Sequence, residues 1–248
     1  MKVVLLHGFL GSGRSWRAVL AQPLLAGVEA FCPDLPGHGG APEAAGFTAA
    51  VATLAAQIRG RFSTRVLLAG YSLGARLALG LLADFRELFA GALLIGAAPG
   101  LTGEARSARA AADDAAAARL RQRGLPEFLA EWRRQPLFAS QERLPKELLA
   151  EQEAINLAHQ PAALASTLAL LSPGRMPDYR PRLATFELPI ELLVGEEDGK
   201  FLALAGEMRE SLPQARLTAV PGCGHNLLLE APAAVAAALL RLAEKRKT

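Results

Sequence analysis

The sequence predicts an α/β fold, a mostly parallel sheet with helices on both faces and an inserted helical cap, on three observations. Short apolar runs alternate with helix-like segments through the first hundred residues and again after residue 190. Between them lie four consecutive helix-like segments without a strand-like run. The third observation is Gly70-Tyr71-Ser72-Leu73-Gly74, a serine between two glycines placed directly after a strand-like run and directly before a helix-like one.

Each element has a local reason. Lys2 to Leu6 is a continuous apolar run of buried-strand length, and Ser15 to Leu25 has helical spacing. Ala30 to Pro33 reads as a short strand, Thr48 to Phe62 as a helix and Arg65 to Ala69 as a strand. The helix after Ser72 runs from Ala75 to Ala83, and Gly91 to Gly96 is the next strand. The cap covers residues 99–181, with helices expected over Gly103 to Gln122, Pro126 to Arg134, Pro145 to Leu157 and Pro161 to Leu171. Three of these begin on proline, which suits a first helical turn because its missing N–H has no partner there anyway. Sheet rhythm returns with the strand Ile190 to Val194, the helix Phe201 to Ser211, the strand Arg216 to Val220 and a terminal helix from Ala231 to about Lys245. Residues 1–98 and 182–248 therefore form one core domain.

Composition narrows the function classes. A chain of 248 residues, 51% hydrophobic and 21% charged, buries a large core and is not a disordered protein. The net charge of +3 is a small excess of 27 basic over 24 acidic residues, without basic clusters interleaved with aromatics, which argues against nucleic acid as a partner. Glu244 to Thr248 reads as a solvated tail. Cys32 and Cys223 make neither a disulfide framework nor a metal-ligand spacing and read as small apolar residues near strand ends. The N-terminal apolar run is too short for a signal peptide, and Phe89 to Leu101 is interrupted by glycine and proline and too short to span a membrane, so a soluble cytoplasmic protein is expected. The sequence carries no indication of oligomeric state.

A strand-to-helix turn of this glycine-flanked kind lifts a serine hydroxyl above the carboxyl edge of a parallel sheet. The hydroxyl needs a base, and the base needs an orienting group. Of four histidines, His7 and His38 lie in early glycine-rich turns and His159 in the cap, which leaves His225 after the last strand. Gly195-Glu196-Glu197-Asp198 ends the strand before it; Asp198 is favoured, while spacing alone leaves Glu196 and Glu197 open. The order Ser72, Asp198, His225 is that of the α/β-hydrolase fold. His7-Gly8-Phe9-Leu10 follows the first strand, and the backbone N–H groups of Phe9 and Leu73 are the expected oxyanion donors.

His7-Gly8-Phe9, Asp34-Leu35-Pro36-Gly37-His38-Gly39 and the Ser72 turn resemble the α/β-hydrolase superfamily. Arg76, Pro99-Gly100-Leu101 leading to Arg106, Arg109 and Asp113, Trp132 before Gln135 to Ser140, and Gly195 to Phe201 are similar, more narrowly, to the 2-succinyl-6-hydroxy-2,4-cyclohexadiene-1-carboxylate synthases of menaquinone synthesis. The resemblance spans Val3 to Pro232. It implies elimination of pyruvate from 2-succinyl-5-enolpyruvyl-6-hydroxy-3-cyclohexene-1-carboxylate, without metal or organic cofactor. It also implies a small polycarboxylate substrate held by Arg76, Arg106 and Arg109, with Lys200 a further cation and Tyr71 and Trp132 as pocket walls. The arginine that this family carries late in the cap has no counterpart in Gln152-Glu153-Ala154-Ile155-Asn156, and no motif match makes Arg175 its substitute. On this resemblance Ser72 acts as the immediate base, with His225 and Asp198 behind it. The same triad would serve an esterase or carbon–carbon bond hydrolase through an acyl-enzyme, and a non-catalytic ligand-binding protein of the same fold is the other alternative.

Overall fold

In the computed structural model, which describes residues 1–212 and 214–245, six parallel strands form one sheet in the order β2-β1-β3-β4-β5-β6. The strands are β1 (Lys2–Leu6), β2 (Glu29–Phe31), β3 (Val66–Tyr71), β4 (Phe89–Ile95), β5 (Ile190–Gly195) and β6 (Arg216–Val220). The chain steps outward from β1 to β2 and then returns to the other side of β1 for β3. The connections leaving β1 and β3 therefore diverge, opening a crevice beyond the carboxyl ends of these two strands, where open α/β sheets bind ligands.

Alternate residues of the buried strands feed opposite faces. Val4, Leu6, Leu68 and Leu94 pack under α2 (Phe47–Arg61), α3 (Leu73–Asp84) and α9 (Gly199–Glu210). Val3, Leu5, Leu67 and Leu93 pack under α11 (Pro232–Lys245), with the short helices α1 (Arg17–Leu20) and α10 (Leu227–Glu230) at its ends. Such doubly covered strands are apolar throughout, and that is why they read as runs in the sequence.

Between β4 and β5 the chain makes no strand among the described residues. It forms α4 (Gly103–Arg123), α5 (Leu125–Arg133), a 3-10 segment Pro136–Arg143, α6 (Lys146–Leu157), α7 (Pro161–Leu170) and the short α8 (Arg180–Leu183). Ala117, Leu120, Leu125, Phe128, Leu129, Leu164, Ala165 and Leu168 make a separate apolar core here, completed by Leu10 from the loop after β1. Leu171, Met176, Tyr179 and Leu183 instead join the core under α2 and α3.

Several expected elements differ. The helix expected over 15–25 is a 3-10 turn Gly13–Trp16 capped by Ser12, one turn of α1, and a second 3-10 turn Pro23–Leu25. Pro23 has no N–H to continue a helix and holds Gln22 extended, with ψ 133°. The second strand is Glu29–Phe31, not 30–33. The 3-10 segment 136–143 and the short helices α8 and α10 carry too few residues for a periodic signal. Of the terminal segment expected as a tail, 246–248 lies outside the described residues, whereas Glu244 and Lys245 end α11 and the Lys245 ammonium is 3.9 Å from the buried Glu191. Among the described residues no helix is long and apolar enough to cross a membrane.

Candidate active site

Ser72 is the N-cap of α3 at φ 53°, ψ −106°; Leu10 is the one other non-glycine described with positive φ. The turn exists because the helix folds back against the sheet with no room to spare: a Cβ on Gly74 would meet the Leu6 carbonyl oxygen at 2.2 Å, and one on Gly70 would meet that of Gly74 at 2.4 Å. The backbone strain at Ser72 is held by its N–H, which donates to the Ile95 carbonyl at 2.9 Å.

Ser72 Oγ lies 3.0 Å from His225 Nε2, and His225 Nδ1 lies 2.6 Å from Asp198 Oδ2. The carboxylate can only accept, so Nδ1 carries the proton and the Nε2 lone pair faces the serine hydroxyl. Asp198 is also the N-cap of α9, its other oxygen accepting the Phe201 N–H at 3.4 Å. Capping and orienting the imidazole are thus one job, and both fix the carboxylate. The rival acids point elsewhere: Glu197 pairs with Arg143 at 2.7 Å and Glu196 accepts the Gly222 N–H at 3.3 Å. The His225 ring is wedged between Phe201 at 4.4 Å and Tyr71 at 5.3 Å between centroids. The loop carrying it is tied on both sides by Glu230, which accepts the N–H of Gly224 at 2.7 Å and of Asn226 at 3.1 Å.

Phe9 N–H and Leu73 N–H have no acceptor among the described residues, and both residues line the cavity that contains Ser72. This cavity, about 490 Å³, reaches from Ser72 and His225 to Arg76, Arg109 and Ser172. Arg76 Nη1 donates to the Leu171 carbonyl at 2.6 Å, and among the described residues no carboxylate forms an ion pair with it. Burial, reinforced by the nearby Arg109 guanidinium and offset in part by the Asp113 carboxylate, pulls its pKa down to about 9, so it is still a cation at neutral pH. Arg109 Nε donates to Asp113 Oδ2 at 2.8 Å, and the same oxygen accepts the Ser172 hydroxyl at 2.6 Å. With Nε engaged, the two terminal nitrogens of Arg109 remain for a ligand.

The remaining binding candidates separate. Trp132 and Lys200 line the cavity, Lys200 lying over the Phe201 ring and Trp132 against Phe9 at 5.2 Å. Arg106 does not: it is exposed and its Nε donates to the Gly174 carbonyl at 3.1 Å, so the expectation that it holds substrate beside Arg109 is corrected. Arg175 is likewise outside, in a two-bond pair with Asp114. Tyr71 is buried and lines a second cavity of about 730 Å³ on the other side of Ser72, along with Gln152, Asn156, Arg14 and Arg134. Its phenol is pushed well above its ordinary pKa by burial and by the Glu230 and Asp198 carboxylates, and stays protonated. Both cysteine thiols are also pushed up by burial, Cys32 to about 11, and remain protonated. Asp113, Ser172 and Glu230 join the site through bonds to its members; Asp113 belongs to the stretch of resemblance after Pro99, whereas no sequence motif announces Ser172 or Glu230. Among the described residues no three His, Cys, Asp or Glu side chains converge as metal ligands.

Residues 3–238 match the profile of the Alpha/beta hydrolase family. The chain is 34% identical over 247 residues to the 2-succinyl-6-hydroxy-2,4-cyclohexadiene-1-carboxylate synthase of Enterobacter sp. (strain 638), covering 98% of this chain and 92% of that one. It is 34% identical over 243 residues to the synthase of the same name from Klebsiella pneumoniae, covering 97% and 92%. The solved structure of MenH from S. aureus superposes with a TM-score of 0.94 at 27% identity, covering 100% of this chain and 95% of that one. A thermophilic esterase from Thermogutta terrifontis superposes at 0.87 with 24% identity, a likeness of fold alone.

Proposed function

Since this chain belongs to the α/β-hydrolase family and, within it, to the 2-succinyl-6-hydroxy-2,4-cyclohexadiene-1-carboxylate synthases, we infer that its serine triad serves an elimination and not a hydrolysis. The enzyme is a carbon–oxygen lyase of menaquinone synthesis that releases pyruvate from 2-succinyl-5-enolpyruvyl-6-hydroxy-3-cyclohexene-1-carboxylate. In the mechanism proposed, Ser72 Oγ takes the proton from the ring carbon beside the succinyl carbonyl as its own proton passes to His225 Nε2. Asp198 stabilises the imidazolium that forms. The electron pair left on carbon moves onto the carbonyl oxygen, which the N–H groups of Phe9 and Leu73 hold, and each donor is worth ~3 kcal/mol to the transition state. That pair then returns through the ring double bond, two new ring double bonds form, and the bond to the enolpyruvyl oxygen breaks. The leaving group departs as the enolate of pyruvate, and the proton held on the imidazolium returns to its CH2 carbon, which gives pyruvate and restores neutral His225.

The observation that carries this reading is Arg76. It is a partly buried cation one helical turn beyond Ser72, in the same cavity, with a neutral carbonyl as its partner. A substrate bearing carboxylates supplies the missing charge, and Arg109, with its terminal nitrogens free, takes a second. The third carboxylate, for which residues 152–156 offer no arginine, has Arg14 and Arg134 on the wall of the adjoining cavity. The inserted helices close this chamber as a lid, with Trp132 against Phe9 at the boundary between the two cavities.

The test is a coupled assay for pyruvate with wild type, Ser72→Ala and Arg76→Ala. Release by wild type and loss in both folded variants is expected; absence of pyruvate with the wild-type enzyme overturns the reading.

A further inference from the structure

Leu10 adopts φ 66°, a region that crowds the Cβ of any residue other than glycine. A residue stays there only when its surroundings over-determine it, and here every group of Leu10 is held. Among the described residues its side chain, 3% exposed, is the one buried member of the inserted helices' core that comes from outside them. Its N–H donates to His38 Nε2 at 3.2 Å. Its carbonyl accepts twice: from Asn156 Nδ2 at 2.8 Å, in the last turn of α6, and from His159 Nε2 at 3.0 Å, in the turn between α6 and α7.

The His159 ring has one arrangement that satisfies both nitrogens. Nδ1 accepts the Gly39 N–H at 3.2 Å, so Nε2 carries the hydrogen and donates to Leu10. Asn156 and His159 are both buried; neither lines the cavity around Ser72 and Arg76, although Asn156 lines the adjoining one, so His159 is the cleaner probe. Both nevertheless fix the residue that follows Phe9.

We propose that Asn156 and His159 are positioning residues, which act through the Leu10 carbonyl to hold the Phe9 N–H at its oxyanion geometry. The donor is then completed only when the inserted helices sit on the sheet, so the helices assemble the catalytic loop as well as covering it. This rests on the reading of Phe9 N–H as an oxyanion donor given above. A residue that merely fastened the helices down would alter stability and substrate affinity, whereas one that places the donor alters the chemical step.

Two substitutions at one position separate these roles. His159→Gln keeps an N–H at the distance of Nε2 and loses the acceptor for Gly39; His159→Asn keeps a polar group at the distance of Nδ1 and loses the donor to Leu10. Expected is a kcat about 10-fold lower for His159→Asn and for Asn156→Leu, with the KM of His159→Asn within about two-fold, and a His159→Gln enzyme within about three-fold of wild type. Amide exchange of the unliganded proteins should show Phe9 N–H altered in the first two and unchanged in His159→Gln. Equal kcat for the Gln and Asn variants, a loss confined to KM, or an unaltered Phe9 amide overturns the proposal. If Asn156→Leu does not fold, Asn156→Ser replaces it with the same expectation. If wild type releases no pyruvate, the elimination reading fails by itself, and the Phe9 amide comparison still decides whether His159 positions the loop.

Discussion

Acidification from pH 7.5 to pH 5 should destabilise this protein, because three buried histidines brace the loop after β1 in their neutral forms. His7 accepts the Leu35 N–H at 2.9 Å on Nε2 and donates from Nδ1 to the Gly8 carbonyl at 2.8 Å. The rings of His7 and His38 stand 5.0 Å apart and those of His38 and His159 5.2 Å apart, so a charge on one opposes a charge on the next. Asp34, 4.0 Å from His7, offsets this only in part. Burial lowers the His7 pKa from 6.5 to about 4, and it lowers those of His38 and His159 as well. Below pH 6.5 the unfolded chain binds protons that the native chain refuses, so the stability present above 6.5 drains away as pH falls towards 4. At about 1.4 kcal/mol per pH unit, His7 alone accounts for ~2 kcal/mol at pH 5 and ~3 kcal/mol by pH 4. Urea unfolding at pH 7.5, 6.5, 5.5 and 5.0, followed by the fluorescence of the fully buried Trp16, should show a midpoint that is steady down to about 6.5 and then falls. A midpoint unchanged between pH 7.5 and 5.0 would mean that the fold does not oppose protonation of these histidines.

Three substitutions probe the site itself. Gly96→Ala places a methyl 2.7 Å from His225 Cε1 at a position with φ 57°, so kcat should fall by roughly 100-fold or more through displacement of the imidazole, checked by steady-state pyruvate release. Arg76→Ala should lower kcat/KM by about 10- to 100-fold, the worth of a charge-assisted hydrogen bond to a carboxylate, whereas Arg106→Ala should stay within about two-fold; comparable losses in both would contradict the assignment of Arg106 to the surface. Asp113→Asn weakens the hold on Arg109 while keeping its shape, so KM should rise several-fold with kcat little changed, as initial-rate measurements would show.

The parts legible in the sequence are those that local rules determine. Gly70 and Gly74 announce the elbow because no side chain fits there, and the order Ser72, Asp198, His225 follows from strand ends that apolar runs mark clearly. Spacing could not choose among Glu196, Glu197 and Asp198, since the choice depends on which carboxylate faces His225 once α9 has begun. Arg106 and Arg109 are alike in spacing; what separates them is Asp113, which seats Arg109, and the Gly174 carbonyl, which draws Arg106 away. The bonds from Asn156 and His159 to Leu10 join positions nearly 150 residues apart, and no periodicity encodes such a contact. The split of the segment 15–25 was foreshadowed by Pro23, whose effect on Gln22 the helical spacing concealed.

Whether Ser72 works as a base or as an acylated nucleophile is decided by a single-turnover reaction with substrate deuterated at the ring carbon beside the succinyl carbonyl. Pyruvate release should slow by at least about two-fold relative to the protiated substrate, and mass spectrometry of the quenched enzyme should find Ser72 unmodified throughout. An adduct on Ser72 that forms and decays with turnover would contradict the account.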